Sequence, residues 1–426
     1  MAFILLFEAV IFTPICLMNH TSLPIAIVGH VDHGKSTLIG RLLLDTKSLP
    51  PDKLEEIRKI SKELGRETQM AYLTDQLEEE REKNITIDTT QIFFKTSHRN
   101  YVIIDTPGHV EFLKNMLSGT SFAQAVILIV DTNEGIQEQT RRHAYLVGML
   151  GIRNVIVLCN KMDLVQYSQE AFERLQQQLQ EVCKQSNLNP IATIPVSAWN
   201  GDNVATKSSN MPWYKGKTLL QTLDAVEGKE ENASSAPLRL PIQDIYEMDA
   251  KIVVGKIIQG TLKQNQTVKI MPLNEQATIK EIRVFEKTLK SATVNQNIGI
   301  VFDKNINVAR GQLIVDSNCE LAPVTTITAH LFWLSEEPWQ VGTEKTFRCE
   351  TIEVHAQITQ IKEKLDSNTL QPIEHDDQML RMNETAIVQL TLSSPQMLEA
   401  FEILPEMGRF VVDTNNHVHG FGVILS

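Results

Sequence analysis

The sequence lacks an apolar segment that could span a membrane. Its most apolar stretch, residues 2–17, is shorter than the roughly 20 residues that a bilayer requires, and Glu8 and Pro14 interrupt it. No positively charged start precedes this stretch, as a secretory signal would need. We therefore interpret residues 1–19 as an N-terminal extension, either an upstream mis-start or a loosely packed segment, and we expect no membrane partner.

Paired cysteines and a surplus of basic residues are also missing. The five cysteines are odd in number and form no CxxC pair, which is typical of reduced thiols in a cytoplasmic protein and not of a disulfide framework or a zinc site. The 40 basic residues are outnumbered by 52 acidic ones, so the formal net charge is −12. Binding of nucleic acid by bulk electrostatics needs a basic surface, so we expect no bulk nucleic-acid affinity, although a local basic patch is compatible with this balance.

The pattern of apolar residues changes near residue 230. Before that point, short runs that are apolar on both faces alternate with amphipathic helical stretches, which predicts a mostly parallel sheet with helices on both faces. After a polar linker at 228–235, closely spaced β-rich runs predict two small β-barrels. With 426 residues, 42% of them hydrophobic, the chain is predicted to form an α/β domain at 20–230 and barrels at 236–322 and 323–426. The predicted strands of the α/β domain are 24–28, 102–104, 125–130, 155–159 and 191–196.

A GxxxxGK[ST] motif follows the first predicted strand and precedes a predicted helix at 37–44. Its glycines let backbone N–H groups surround a polyphosphate, and the helix N-terminus adds a favourable dipole. Lys35 can reach the β- and γ-phosphates, and the hydroxyl of Ser36 can bind Mg²⁺. The predicted phosphate-binding residues are Gly29, His30, Val31, Asp32, His33, Gly34, Lys35, Ser36 and Thr37.

A second polar segment begins where the predicted strand at 102–104 ends. The carboxylate of Asp105 is well placed to hold Mg²⁺ through water, and the N–H of Gly108 can donate to a γ-phosphate. His109 is a candidate for orienting the attacking water. The predicted nucleotide-binding residues of this segment are Asp105, Thr106, Pro107, Gly108 and His109.

Two later segments, each after an apolar strand, predict a guanine pocket. An Asn and an Asp three residues apart can read the edge of a purine, and the carboxylate accepts from both a ring N–H and an exocyclic amine. Guanine offers that pair of donors and adenine does not, while a backbone N–H after the next strand completes the pocket. The predicted base-binding residues are Asn160, Lys161, Met162, Asp163, Ser197 and Ala198.

These four motifs, in this order, resemble the elongation factor Tu and elongation factor 1-alpha branch of the P-loop GTPases. The resemblance extends over essentially the whole chain after Met18. It implies an α/β P-loop GTPase domain followed by two β-barrels, with GTP/GDP and Mg²⁺ as ligands. It also implies that Thr86 reaches Mg²⁺ and the γ-phosphate, and that His109 positions water. The implied Mg²⁺ ligands are Ser36, Thr86 and Asp105, and the implied catalytic residues are Lys35, Thr86 and His109.

Further stretches resemble the GTPase large subunit of the bacterial two-subunit sulfate adenylyltransferase. They are residues 38–43, 139–143, 201–205 and 211–214. This resemblance implies a separate catalytic small subunit as partner and a role in sulfate assimilation, and it is the interpretation that we favour.

Other residues favour elongation factor 1-alpha instead. His33 stands where the sulfate adenylyltransferase subunit generally has an acidic residue, and residues 237–241 and 408–410 also match the elongation factor. This alternative implies aminoacyl-tRNA and the ribosome as partners.

Overall fold

The structure is a computed structural model that describes residues 22–49, 91–105, 123–226, 234–247, 250–284, 287–367, 371–373, 378–414 and 417–426. The chain divides into two compact units, residues 1–227 with 367–370 and residues 228–366 with 371–426. Four cysteines lie in the described ranges; none of them is bridged, and Cys159, Cys183 and Cys349 are buried. This burial agrees with the prediction of core thiols.

The first unit is built on a mixed six-stranded sheet. In chain order its strands are β1 (Ser22–Val28), β2 (Gln91–Lys95), β3 (Asn100–Asp105), β4 (Ala125–Asp131), β5 (Asn154–Asn160) and β6 (Ala192–Pro195). Across the sheet the order is β2-β3-β1-β4-β5-β6; β2 pairs antiparallel with β3, and the other neighbours are parallel. The central strand β4 is buried along its whole length, as expected for a parallel strand covered on both faces.

The described helices of this unit are α1 (Lys35–Asp45), α2 (Glu138–Met149), α3 (Gln169–Gln185) and α4 (Leu219–Asp224). Helices α1 and α4 pack on the sheet face that carries Ile127, while Val126 and Leu128 are buried on the opposite face. Helix α3 begins after Ser168, whose Oγ accepts a hydrogen bond from the backbone N–H of Ala171 at 3.2 Å. Its buried residues recur at helical spacing and are Phe172, Leu175, Leu179, Val182 and Cys183.

The second unit begins with a β-barrel. Its strands are β7 (Arg239–Glu247), β8 (Lys251–Lys256), β9 (Thr261–Lys263), β10 (Thr267–Met271), β11 (Glu275–Val284), β12 (Lys287–Leu289), β13 (Ser291–Thr293), β14 (Asn297–Phe302) and β15 (Leu313–Asp316). The sheet runs β10-β15-β7-β8-β14-β11-β12, and an additional pairing of β10 with β11 closes the ring. Strands β9 and β13 form a separate pair.

A second, six-stranded barrel follows. Its elements are β16 (Val324–Trp333), β17 (Trp339–Gln340), β18 (Glu344–Cys349), β19 (Ile352–Asp366), β20 (Met379–Leu380), β21 (Glu384–Gln396), the short helix α5 (Pro405–Gly408), β22 (Arg409–Thr414) and β23 (His417–Ile424). Strands β16-β21-β19-β18-β22-β23 form the closed barrel. Trp333, Trp339 and Phe347 are fully buried in its core, and the rings of the two tryptophans lie 5.4 Å apart.

This architecture confirms the predicted fold class, an α/β domain followed by two small β-barrels. The sequence patterns missed β2, an antiparallel edge strand that pairs with β3 from Gln91 to Lys95. The exact domain boundaries stay predictions. No helix within the described ranges is both long enough and apolar enough to cross a bilayer.

Candidate nucleotide-binding site

Those predicted site residues that the structure describes lie at one edge of the first unit's sheet. Parallel pairing places the carboxyl ends of β1, β3, β4, β5 and β6 at the same edge. The loop at 29–34 follows β1, Asp105 ends β3, the segment 160–163 begins at the end of β5, and Ser197 follows β6. In open α/β sheets this edge is where ligands bind.

The phosphate loop turns sharply between β1 and α1. Asp32 (φ 62°) and Gly34 (φ 95°) adopt left-handed conformations, and the backbone N–H of Leu38 donates to Gly34 O at 2.9 Å as α1 starts. The ammonium group of Lys35 donates to the carbonyls of Gly29 at 2.9 Å and His30 at 2.8 Å. The ammonium therefore lies against the carbonyls at the start of the loop, and Lys35 is the first residue of α1, whose N-terminus suits a phosphate.

Asn160 connects the phosphate loop to the segment after β6. It is buried; its Nδ2 donates to His33 O at 2.9 Å, and its Oδ1 accepts from the backbone N–H of Ala198 at 2.9 Å. Space here is tight, because a Cβ at Gly34 would lie 2.4 Å from Asn160 Nδ2. Asn160 thus uses both ends of its amide to brace two loops, a positioning role in addition to the base-reading role predicted from the sequence.

Asp163 is oriented by the same segment. Ser197 Oγ donates to Asp163 Oδ1 at 2.6 Å and accepts from the backbone N–H of Asn200 at 3.2 Å. The backbone N–H of Met162 donates to Val196 O at 3.2 Å, which ties the loop after β5 to the end of β6. The structure therefore brings together Asn160, Asp163, Ser197 and Ala198, as predicted for a base pocket.

Lys161 forms an ion pair that the motifs did not predict. Its Nζ lies 2.7 Å from Oδ2 of Asp131, the last residue of β4, whose side chain is 1% exposed. The other oxygen of Asp131 accepts from the backbone N–H of Asn133 at 2.8 Å. A carboxylate at the end of a central parallel strand is the signal that could have identified this residue. The pair holds Lys161 beside the loop of Asp163 despite its left-handed backbone (φ 59°).

Two histidines of the phosphate loop, His30 and His33, lie near a third, His143, on α2. The rings of His30 and His33 are 5.0 Å apart, and His33 is fully buried with its Nε2 3.5 Å from Glu134 Oε2. Burial, with the nearby His30, lowers the pKa of His33. Burial on α2, with the charge of Lys35, lowers the pKa of His143 to about 3. His33 and His143 are therefore neutral at pH 7, and Lys35 supplies positive charge at the loop.

Of the predicted magnesium ligands Ser36, Thr86 and Asp105, the structure describes the side chain of Ser36. Thr86, Thr106, Pro107, Gly108 and His109 lie outside the described residues, and Asp105 is placed by its backbone alone. Ser36 lies in the first turn of α1, directly after the phosphate loop, where its hydroxyl is the kind of oxygen ligand that Mg²⁺ prefers. Within the described ranges, no group of three or more His, Cys, Asp or Glu side chains is arranged to hold a metal ion.

An α/β sheet with a GxxxxGK[ST] loop at its carboxyl edge, followed by two β-barrels, defines a GTPase of the translation-factor type. The family models agree with the fold. Residues 20–229 match the elongation factor Tu GTP binding domain, residues 250–326 match elongation factor Tu domain 2, and residues 326–425 match the GTP-eEF1A C-terminal domain-like family. The chain belongs to the elongation factor Tu and elongation factor 1-alpha family of GTP-binding proteins.

Curated relatives carry two different names. Elongation factor 1-alpha of Pyrococcus horikoshii is 36% identical over 419 residues, which are 94% of this chain and 97% of that protein. Sulfate adenylyltransferase subunit 1 of Aeromonas hydrophila is 34% identical over 404 residues, 93% of this chain and 84% of that protein. Among solved structures, sup35 complexed with GDP is 23% identical and covers 97% of this chain and 96% of that one, with a TM-score of 0.45.

Proposed function

We propose that this chain binds and hydrolyses GTP as a subunit of sulfate adenylyltransferase. One observation carries the nucleotide part of the proposal: Asn160 bonds the phosphate loop through His33 O and the base-pocket segment through the N–H of Ala198. A single buried side chain thereby sets the distance between a polyphosphate site and a purine site. Asp163, oriented by Ser197, supplies the carboxylate that accepts from guanine.

In this proposal, catalysis depends mainly on positioning and charge stabilisation. Lys35 offsets the negative charge that develops on the transferred phosphate, and His109 orients the attacking water. Mg²⁺, held by Ser36, Thr86 and Asp105, would supply further positive charge beside the phosphates. Loss of the γ-phosphate releases Thr86 and the N–H of Gly108, so the segments that carry them change conformation.

The hydrolysis step would be coupled to chemistry on a separate catalytic small subunit. That subunit would form adenylyl sulfate and pyrophosphate from ATP and sulfate, an unfavourable reaction that GTP hydrolysis drives. Support comes from the stretches at 38–43, 139–143, 201–205 and 211–214, from relatives named sulfate adenylyltransferase subunit 1, and from the net charge of −12. The expected location is the cytoplasm.

A second candidate function is the delivery of aminoacyl-tRNA to the ribosome, as in an elongation factor 1-alpha. The observation that favours it is sequence similarity. The elongation factor 1-alpha of Pyrococcus horikoshii is 36% identical to this chain, and His33 and the stretches 237–241 and 408–410 resemble that family. Both candidates share the same guanine-nucleotide site and differ in the partner that responds to it.

One experiment separates the candidates. The tagged chain is expressed in its own source cells, and the purified complex is assayed for sulfate-dependent exchange of pyrophosphate into ATP, with and without GTP. We expect GTP-stimulated exchange from the wild-type complex, and no stimulation from a complex that carries Lys35→Ala. Aminoacyl-tRNA in the GTP-loaded complex, without exchange activity, would support the second candidate and overturn the first.

A further inference from the structure

Arg41 links the phosphate-binding helix to the base-pocket segment. It lies on α1, the helix that starts at Lys35, and its side chain is 16% exposed. Its Nε donates to Ala198 O at 3.2 Å, and its Nη2 donates to Trp199 O. One guanidinium therefore binds two successive carbonyls of the segment after β6, and a planar fork of donors suits such a pair.

The guanidinium is held from two further sides. Its Nη1 lies 3.7 Å from Asp45 Oδ1, one turn further along α1. Gly201 (φ 84°) closes the turn at 197–201, and a Cβ at this position would lie 3.3 Å from both Cδ and Nη1 of Arg41. Burial raises the pKa of Asp45, and the charge of Arg41 opposes that rise. Asp45 and Gly201 thus leave the fork little freedom to swing away from its two carbonyls.

The turn that Arg41 holds carries the groups that orient the base pocket. Gly201 N donates to Ser197 O at 2.8 Å and closes the turn. At its start, Ser197 Oγ donates to Asp163 at 2.6 Å, and the N–H of Ala198 donates to Asn160 at 2.9 Å. A shift of this turn would therefore move the carboxylate of Asp163 and the amide of Asn160 together.

We infer that Arg41 is a positioning residue for guanine specificity. It fixes the position of the base-pocket turn at 197–201 relative to α1, the helix whose N-terminus faces the phosphate site. The inference rests on the proposed GTP-binding function, and it deepens that function by naming what aligns its two halves. Arg41 touches neither the base nor the phosphates in this role, so its effect is transmitted through Ser197 to Asp163.

The test compares two nucleotides that differ by one group. GDP carries the 2-amino group that Asp163 accepts from, and IDP lacks it, so the ratio of their dissociation constants reports how well Asp163 is placed. In Arg41→Ala we expect GDP to bind about tenfold more weakly and IDP about threefold more weakly, because the loss of two charge-assisted hydrogen bonds loosens the turn. Arg41→Lys keeps the positive charge on a single donor nitrogen in place of the fork, and it should recover part of the ratio. Arg174→Ala, on the exposed face of α3, is the matched control and should change neither constant.

Calorimetry on the full chain, with thermal melting of each variant, gives clear outcomes. A purely structural role would lower the melting temperature and weaken both nucleotides equally, and an unchanged GDP/IDP ratio in Arg41→Ala would overturn the inference alone. If Arg41→Ala does not fold, the ratio in Arg41→Lys decides. Absence of GDP binding in the wild type would instead overturn the proposed function, and the inference with it.

Discussion

The two units place their left-handed backbone conformations on different kinds of residue. In the described part of the second unit, four of the five non-glycine residues with positive φ are asparagines, the fifth being Glu350. Asparagine tolerates this conformation better than most residues. In the first unit, Lys161 (φ 59°), Gln166 (φ 53°) and Tyr167 (φ 57°) adopt it within one loop after β5. Bulky residues in this conformation store strain, which is typical of functional sites.

Contacts from several elements keep that loop in place. Lys161 is paired with Asp131 at 2.7 Å, and the N–H of Tyr167 donates to Met162 O at 2.8 Å. Trp213 donates from Nε1 to Tyr167 O at 3.0 Å. In the barrels, buried polar side chains serve the sheet itself, as where Thr385 Oγ1 donates to Leu331 O at 3.1 Å. In the described residues of the first unit, the bulky left-handed residues Lys161, Gln166 and Tyr167 cluster in the loop of Asp163, whereas those of the barrels are mostly single asparagines.

The largest expected effect is on nucleotide binding, which should depend on a lysine of the first unit and not on one of the second. Lys35→Ala removes the ammonium of the phosphate loop, so we expect GDP affinity to fall by about 100-fold or more, since hydrogen bonds to charged groups contribute about 1.5–3 kcal/mol each. GTP hydrolysis should fall to background. Lys345→Ala is the counterpart in the second barrel, where Lys345 pairs with Glu337 at 3.0 Å. It should leave GDP affinity unchanged in calorimetry, and nucleotide binding at wild-type strength in Lys35→Ala would contradict the site.

The next effect concerns the base. Asp163→Asn replaces a carboxylate, which only accepts hydrogen bonds, with an amide that also donates. The affinity for GTP should therefore fall by about 100-fold. Xanthosine triphosphate presents a carbonyl in place of the amine of guanine, so it should bind to this variant better than GTP does. Competition binding with the two nucleotides measures this preference. Ser197→Ala removes the hydroxyl 2.6 Å from Asp163 and should weaken GTP without reversing the preference. An unchanged preference in Asp163→Asn would mean that the guanine pocket lies elsewhere.

A third prediction compares Gly→Ala substitutions at positions with positive φ. At one position the added Cβ also collides with a neighbouring side chain, and at two others it meets open space. Gly34→Ala places a Cβ 2.4 Å from Asn160 Nδ2 at a position with φ 95°, so we expect a loss of about 3 kcal/mol in the free energy of unfolding. Gly135 (φ 74°) and Gly342 (φ 81°) have open space around the added Cβ. Gly135→Ala and Gly342→Ala should therefore cost only about 1 kcal/mol each. Equal losses in all three variants, measured by urea denaturation, would show that Asn160 moves aside.

Much of the fold was predictable because the first unit's strands are buried and apolar. The predicted runs at 125–130 and 155–159 lie within β4 and β5. The second barrel was harder to divide. The residues at 347–359 suggest a single strand, but β18 and β19 meet at Glu350 (φ 49°) and Thr351. This hairpin turn contains neither glycine nor asparagine, so the sequence carries no turn signal there.

The motifs named candidate site residues at the ends of strands, but they did not predict the contacts between those residues. The motifs identified Asn160 and Asp163, but not that Asn160 braces His33 O and Ala198, because those partners lie far apart in the chain. The charged run 141–143 suggests a solvated helix face, yet Arg142 and His143 are buried. Trp199 suggests a packed tryptophan, yet it is 43% exposed. Tertiary packing decides these positions, and local patterns do not record it.

The smallest expected effect is the pH dependence of the free energy of unfolding that one buried histidine in each unit causes. Burial lowers the pKa of His143 in the first unit to about 3 and that of His330 in the second barrel to about 4, from 6.5. Below pH 6.5 the unfolded chain takes up a proton at each histidine that the folded chain does not. The free energy of unfolding is therefore unaffected well above pH 6.5, and it falls as the pH drops towards the pKa of the folded state. Between about pH 7 and about pH 5.5 each histidine should cost about 1 kcal/mol.

Two variants, His143→Gln and His330→Gln, show which unit each part of this pH dependence comes from. GDP should raise the unfolding midpoint of the first unit, because a ligand stabilises the state that binds it, and so identifies that unit's transition. His143→Gln should reduce the pH dependence of the GDP-sensitive transition and leave the other unchanged, and His330→Gln should do the reverse. If both variants keep the wild-type pH dependence in urea denaturation, the folded chain binds a proton at His143 and His330 as readily as the unfolded chain does, and the neutral state of His143 beside the phosphate loop is wrong.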